Sequence, residues 1–345
     1  MCINKQSSEW AEVSSGVPQG SVLGPLLFVI FINDLPDNVS PQSNPFIFAD
    51  DTKILREISN AEDNQALQRD IDSLVEWSDD NKMYFHSGKC KVLGIGRNKS
   101  DYAYKMRDDK LERVKQEKDL GVTFDASLSF EIHMAEKISK ANRMTGIIRR
   151  TFHYLDKDMF LNLYKALVRP HIEYANQVWS PRLKKHRESI ENVQRRATKM
   201  IPGMKELSYI ERLKKLELPT LAYRRLRGDL IEIFKIMTGK YDEVVSKDLL
   251  EVAKIGNTRG HKFKLFTPHC NTNVRKLSFP YRCIGNWNTL PPYVINATTL
   301  PSFERRLDRF LKHKQVYYDF EADINDKVDA TTITTNNNDC DPDLT

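Results

Sequence analysis

The spacing of apolar residues changes near Leu128, and this change constrains the fold more than any other feature of the sequence. Ahead of it the apolar runs are short and punctuated by Gly, Pro, Asn and Asp. Residues 45–49 (PFIFA) and 52–57 (TKILRE) are β-compatible runs on either side of Asp50 and Asp51, which predicts a hairpin with both carboxylates at or near its turn. The apolar run from Val22 to Ile32, entered through the Gly/Pro-rich loop Ser14 to Gly20, reads as a helix. Leu67, Ile71, Leu74 and Val75 recur at helical spacing behind Ser59 or Asn60 as N-cap, with Glu62 and Asp63 in the first turn. Lys91 to Ile95 and Leu120 to Phe124 read as further short strands, so residues 1–125 are expected to form a helix-backed antiparallel sheet of α+β class.

Past Leu128 the period is helical throughout. Met134, Ile138, Ala141, Thr145 and Ile148 make one stripe; Phe160, Leu163, Tyr164, Leu167 and Val168 make a second, capped by Asp156 and closed by Pro170. Pro181 precedes a third helix around Ile190, Val193 and Ala197, and Pro219 falls in the first turn of a fourth containing Leu226, Leu230, Ile233 and Met237. A final helix is expected on Phe303, Leu307, Phe310 and Leu311. The expected division is therefore a mixed region over 1–125, a helical region over 126–320, and a polar tail over 321–345 that is too poor in apolar residues to pack and is expected to be disordered.

Charge follows the same division. Residues 1–100 hold nine Lys/Arg against fourteen Asp/Glu, net −5, whereas residues 131–240 hold twenty-four against twelve, net +12. An acidic part suited to metal ions and a basic part suited to phosphates is a layout compatible with nucleic-acid chemistry, and with many ordinary two-domain proteins. Cys2, Cys90, Cys270, Cys283 and Cys340 are scattered and odd in number, which argues against a disulfide framework, and His261, His269, Cys270 and Cys283 fit no metal-ligand template. The first residues lack the basic-then-apolar pattern of a secretory leader, and the run Leu26 to Ile32 is too short to cross a bilayer, so no membrane partner is expected.

Two features carry chemistry. The strand end Phe48-Ala49-Asp50-Asp51 delivers adjacent carboxylates, the ligands Mg²⁺ prefers, although a bare Asp-Asp pair is more often a turn whose side chains bond their own backbone. Residues 15–36, SGVPQGSVLGPLLFVIFINDLP, set Gly16, Gly20, Gly24, Pro18 and Pro25 in a loop entering an apolar helix, where small residues let a base pair approach the backbone. Taken together, Gly16 to Pro25 (GVPQGSVLGP), Ile32 to Pro36 (INDLP) and Phe48 to Asp51 resemble the reverse transcriptases of non-LTR retrotransposons, nearest to jockey-like elements. Lys89-Cys90-Lys91, Leu120 to Asp125 (LGVTFD), Tyr164 to Pro170 (YKALVRP), Val193 to Ala197 (VQRRA), Arg224 to Asp229 (RRLRGD) and Trp287-Asn288 extend the likeness over residues 7 to 315.

The resemblance implies a polymerase palm followed by a thumb-like helical region, acting on an RNA template, a DNA primer and deoxynucleotides with two Mg²⁺ ions. Asp50 would be the metal ligand and Asp51 its weaker companion. Pro18, Gln19, Gly20, Phe48 and Ala49 would line the nascent base pair, and Leu120-Gly121 would form the primer-contacting hairpin. Lys89 stands at the position associated with protonating pyrophosphate, or is an ordinary surface lysine. Asp34 is a structural position after the helix and is left out of the site. The helices of 131–240 would face the phosphate backbone through Lys137, Lys140, Arg143, Arg149, Arg150, Lys184, Lys185, Arg187, Arg195, Arg196, Lys199, Arg224, Arg225 and Arg227. Nuclear action is expected from the family. Such enzymes draw another essential carboxylate from a strand well ahead of the Val-Pro-Gln-Gly loop, and this chain starts later, so it is expected to be a truncated fragment with little activity alone. A non-catalytic nucleic-acid-binding remnant and a degraded element product are the alternatives.

Overall fold

The structure, a computed structural model, describes residues 2–3, 6–7, 20–96, 100–242, 246, 249–253, 263–322 and 324. The chain is α+β and divides into two compact units, residues 1–117 and 118–345.

In the first unit a short antiparallel pair, β1 (Cys2–Ile3) and β2 (Gln6–Ser7), precedes helix α1 (Gly24–Ile32), the hairpin β3 (Ser43–Phe48) and β4 (Asp51–Arg56), and the long helix α2 (Ala61–Asp80). Asn60 caps α2 in a reciprocal capping box with Asp63, which satisfies two backbone donors at the helix start. One face of α2 carries Leu74 and Trp77 into a core with Ile32 and Leu35, against which Phe28, Ile47 and Ile54 pack. Ile71 joins Tyr104 and Leu111 in a second, smaller cluster.

The single antiparallel sheet expected over 1–125 is not what forms. The strands pair two by two: β3 with β4, the hairpin β6 (Lys105–Met106) with β7 (Asp109–Lys110), and β5 (Lys91–Leu93) with β8 (Glu112–Val114), the last pair parallel. A three-residue strand carries too little alternation to specify its partner or direction, which is why the sequence reading missed this.

The hairpin β9 (Gln116–Asp119) and β10 (Val122–Asp125) leads into the second unit, which is helical thereafter. Asp125 accepts from the Ser127 hydroxyl and from the Ser129 and Phe130 amides at 3.1 and 2.7 Å, tying the strand end to the start of α3 (Glu131–Thr151). Burial opposes its ionisation, but these hydrogen bonds win and hold the carboxyl at about 2. Met134, Ala141 and Ile148 of the predicted stripe are buried along α3.

Asp156 caps α4 (Lys157–Leu163) as expected, accepting from the Met159 amide at 2.8 Å. Pro170, however, does not close that helix. The chain passes through a π-helical turn, Tyr164–Val168, and continues as α5 (Arg169–Glu173) with Pro170 inside it. The wider turn accommodates a residue that lacks an N–H and whose ring crowds the preceding carbonyls. Next come α6 (Asn176–Trp179), α7 (Lys184–Ala197), α8 (Tyr209–Leu216) and α9 (Leu221–Met237). Pro219 lies just ahead of the α9 N-cap, Thr220, rather than in the first turn. From α7 the buried Glu191 accepts from the Leu221 amide at 3.1 Å and the Tyr209 hydroxyl at 2.5 Å, so a carboxylate sits at the positive end of α9.

Helix α9 joins two cores. Leu221 belongs to the one built on α3, α4, α5 and α7, while Tyr223, Leu230, Ile233 and Phe234 belong to the other. After the short helix α10 (Asn273–Lys276), which buries no residue, the second core is completed by α11 (Phe279–Asn288), α12 (Pro292–Ile295) and α13 (Leu300–Lys312), the last with Phe303, Leu307 and Leu311 fully buried. Asn288 grips the backbone of Leu265 through both side-chain atoms at 2.8 Å. Packed chain runs past Glu321: Ala322 lies against this core and Ile324 is buried in it. The remainder of the predicted tail, residues 325–345, lies outside the described residues.

Candidate active site and nucleic-acid surface

The hairpin turn consists of Ala49 and Asp50, because Phe48 pairs directly with Asp51. Ala49 adopts φ 53°, a left-handed conformation that costs a non-glycine residue about 1 kcal/mol. Strand alternation places Phe46, Phe48, Asp51, Lys53 and Leu55 on one face and Ile47, Thr52 and Ile54 on the other. Ile47 and Ile54 pack on the core, while Phe46, Phe48, Asp51 and Leu55 are exposed, with the Lys53 amine over the Phe46 ring. Asp50 and Asp51 are both exposed, and among the described residues no hydrogen bond or ion pair engages either side chain.

What fixes the hairpin is its base. Asp70, buried on α2, accepts from the Ser40 amide at 2.8 Å, the Ser40 hydroxyl at 3.0 Å and the Ser43 hydroxyl, and faces Arg56 at 3.6 Å. A carboxylate so deep among apolar neighbours needs this set of donors. Sequence reading gave no sign of it, since Asp70 lies beside the apolar residues of its helix and its partners are 14 to 30 residues away.

Of the other predicted site residues, Gly20 is exposed with φ 85°, and Pro18 and Gln19 lie outside the described residues. Lys89 is exposed at the end of the 3₁₀ turn Ser87–Lys89, without an ion pair among the described residues. Asp34 accepts from the Trp77 indole at 3.1 Å, a structural task. Helix α1 leaves Leu26, Leu27, Val29 and Ile30 exposed, an apolar surface well beyond isolated side chains.

The resemblance implies two Mg²⁺ ions. Among the described residues no three His, Cys, Asp or Glu side chains gather as a metal site. Asp50 and Asp51 suit one hydrated Mg²⁺ held by one or two carboxylates, and they do not make a two-metal clamp without further ligands.

At the second hairpin, Leu120 and Gly121 form the turn with φ 44° and 82°. The Tyr174 hydroxyl donates to the Leu120 carbonyl at 2.9 Å, and the Lys137 amine donates to the Gly121 carbonyl at 2.8 Å. A Cβ on Gly121 would stand 3.3 Å from the Tyr174 ring, so both conformation and contact call for glycine. Behind the turn, the buried His133 accepts from the Thr123 amide at 3.1 Å; burial, and then the Lys137 charge, push its imidazole down to about 4. Nothing local to Tyr174 in the sequence announces this contact 54 residues back.

The expected phosphate-facing cations divide in two. Arg224 is engaged by Glu173 through two hydrogen bonds, one of 2.9 Å, and Arg227 by Asp308 at 2.5 and 2.9 Å, while Arg225 is buried. This corrects the reading of the RRLRGD segment as a phosphate surface: α9 is central, so its arginines join helices. Lys184 pairs with Glu188 and Glu321, and Lys185 with Glu131. Lys140, Arg143, Arg149, Arg150, Arg187, Arg196 and Lys199 remain exposed.

Residues 1–154 match the reverse transcriptase (RNA-dependent DNA polymerase) family. That segment contains the β3–β4 and β9–β10 hairpins. Its relatives narrow the class. The chain is 28% identical over 204 residues to the RNA-directed DNA polymerase from mobile element jockey of Drosophila melanogaster, and 29% over 206 residues to that of Drosophila funebris. It is 26% identical over 203 residues to the probable RNA-directed DNA polymerase from transposon X-element of Drosophila melanogaster. Each match takes in 55% of this chain and 22% of the relative, so the matched region spans about a fifth of those proteins. The likeness is therefore to reverse transcriptases of non-LTR retrotransposons. No solved structure matches the chain.

Proposed function

We propose that this chain is the palm and thumb portion of a non-LTR retrotransposon reverse transcriptase, with residues 1–125 as palm and 126–320 as thumb. The observation that carries the reading is the β3–β4 turn, which presents Asp50 and Asp51 exposed and unengaged at a left-handed residue, inside the segment matched to the family. In this reading Asp50 holds Mg²⁺ and Asp51 assists, while Pro18, Gln19, Gly20, Phe48 and Ala49 border the templating base pair. Leu120 and Gly121 meet the primer, and Lys89 donates a proton to pyrophosphate. RNA template, DNA primer and deoxynucleotides are the partners, and the nucleus is the place of action.

The donor geometry supports inactivity of the chain by itself, since a two-metal clamp needs carboxylates beyond this pair. The test is primer extension on an RNA template with Mg²⁺. The chain alone should not extend. A chimaera with the jockey segment that precedes the match fused ahead of residue 1 should extend, and Asp50→Ala in the chimaera should abolish this. Asp50-dependent extension by the chain alone would overturn the claim of incompleteness. A second reading, a binding remnant without catalysis, is favoured by the same incomplete donor set; a silent chimaera with salt-sensitive hybrid binding would select it.

A further inference from the structure

The segment Arg224 to Asp229 (RRLRGD) carries one charge that its helix contacts do not account for. Arg224 is engaged by Glu173, Arg227 by Asp308, and Asp229 by Arg282 of α11 at 2.9 Å. Arg225 has no such partner. It is 6% exposed, and its buried Nη1 donates to no acceptor among the described residues. The carboxylates that act on it are each committed elsewhere: Glu191 accepts from the Tyr209 hydroxyl and the Leu221 amide, Asp229 from Arg282, and Glu173 from Arg224. Burial lowers the proton affinity of this guanidinium by more than the three carboxylates restore, and Arg187 lowers it further. A guanidinium stays charged all the same, so α9 holds a buried positive charge that lacks an acceptor.

Further donors gather one turn along the same face of α9, at Gly228. A Cβ on Gly228 would stand 3.7 Å from Asn176 Nδ2 and 3.8 Å from Gln177 Nε2, both on α6. Neither amide nitrogen donates to an acceptor among the described residues, and Asn176, 6% exposed, also leaves its Oδ1 without a partner. Half a turn of that amide exchanges Oδ1 and Nδ2, so it offers a donor in either position. The Arg282 guanidinium donates to the carbonyls of Asn176 and Gln177 at 3.4 and 3.0 Å, which fixes both residues over α9 and adds positive charge behind them. Amide and guanidinium donors that meet without an acceptor suit an anion, and not a cation or an apolar group. The room left by the absent Cβ is of atomic size, which favours a halide over an oxyanion.

We propose that Asn176, Gln177, Arg225 and Gly228 form a seat for a single chloride ion between α6 and α9, with Arg282 as the positioning residue that sets the two amides over the glycine. The seat lies past residues 1–154, the segment matched to the family, and does not depend on the nucleic-acid reading. It gives the chain a structural anion that ties α6 to the helix shared by both cores.

Two measurements on the full chain test this: the chlorine nuclear magnetic resonance linewidth of chloride, and amide exchange in sodium chloride against sodium gluconate at equal ionic strength. The wild-type chain should broaden the chloride line. Peptides covering 174–180 and 221–230 should exchange about tenfold slower in chloride at about ten times its dissociation constant, with peptides of α2 unchanged. Gly228→Ala fills the space while favouring the helix, so the chain stays folded and both effects should vanish. Gln177→Met removes a donor and no charge, and should weaken both effects severalfold. Arg225→Met removes the buried charge together with its need for an anion, and should leave exchange equal in the two salts. Equal exchange in the two salts and an unbroadened line in the wild-type chain would mean that water satisfies Arg225, and would overturn the proposal. Broadening and protection that persist undiminished in Gly228→Ala and Arg225→Met would put chloride elsewhere and overturn it equally.

Discussion

Asp70 should decide whether the aspartate hairpin exists as a fixed object. Its carboxylate takes three hydrogen bonds from Ser40 and Ser43 and compensates Arg56, whose side chain is 8% exposed. Asp70→Ala removes the acceptor of the Ser40 amide and of the two hydroxyls, and leaves Arg56 with Asp63, at 3.9 Å, as its remaining carboxylate. Breaking one partner of such a pair typically costs about 3–5 kcal/mol. Partial exposure of Ser40 puts the expected value near the lower end, about 3 kcal/mol, or roughly a hundredfold in the opening equilibrium. The assay is amide hydrogen exchange read peptide by peptide, because two compact units make a single unfolding midpoint ambiguous. Peptides covering 43–56 should exchange roughly a hundredfold faster in Asp70→Ala, with peptides of α9 and α13 unchanged as internal reference. Asp70→Leu combined with Arg56→Met removes both charges and should recover much of the protection. Unchanged exchange over 43–56 in Asp70→Ala, or equal loosening of both units, would refute the anchoring role.

Other consequences can be measured separately. Ala49→Gly relieves the left-handed turn and should stabilise the β3–β4 hairpin by about 0.5–1 kcal/mol in the same exchange assay; a loss of protection would mean that the turn is not strained. Gly121→Ala meets both φ 82° and the Tyr174 ring, and should cost about 1–2 kcal/mol at the second hairpin, much less in a Tyr174→Ala background. Leu307→Ala, at a position with no exposure, should destabilise the second core by about 2–5 kcal/mol in urea melts, and a change below 1 kcal/mol would contradict the packing. For His133 the folded value, about 4, lies below the ordinary 6.5, so the unfolded chain takes up a proton that the folded chain refuses. Stability present above pH 6.5 should therefore be lost as pH falls toward 4, by up to about 1.4 kcal/mol per pH unit, and His133→Gln should flatten that window. Asp125, held at about 2, adds a second loss below pH 3.8 that this variant should retain.

The elements that sequence made legible are those whose signal is local and long. The stripe Met134, Ala141, Ile148 and the caps at Asn60 and Asp156 needed only periodicity and side-chain chemistry within one turn. The hairpin at Asp50 and Asp51 was legible because two apolar runs bracketed it. What stayed hidden was set by distant partners. Pro170 reads as a terminator until a π turn, invisible to pattern, absorbs it. The arginines of 224–227 read as a basic surface because their carboxylates, Glu173 and Asp308, lie 51 and 81 residues away.

In the proposed function Asp50 and Asp51 are part of a metal site whose remaining ligands lie beyond this carboxylate pair. Titration of the purified chain with Mn²⁺, read as free ion by electron paramagnetic resonance, tests it beside Asp50→Ala and the jockey chimaera. Weak binding by the chain alone, with tight and Asp50-dependent binding in the chimaera, is the predicted result. Tight binding of two ions by the chain alone, abolished by Asp50→Ala, would contradict it.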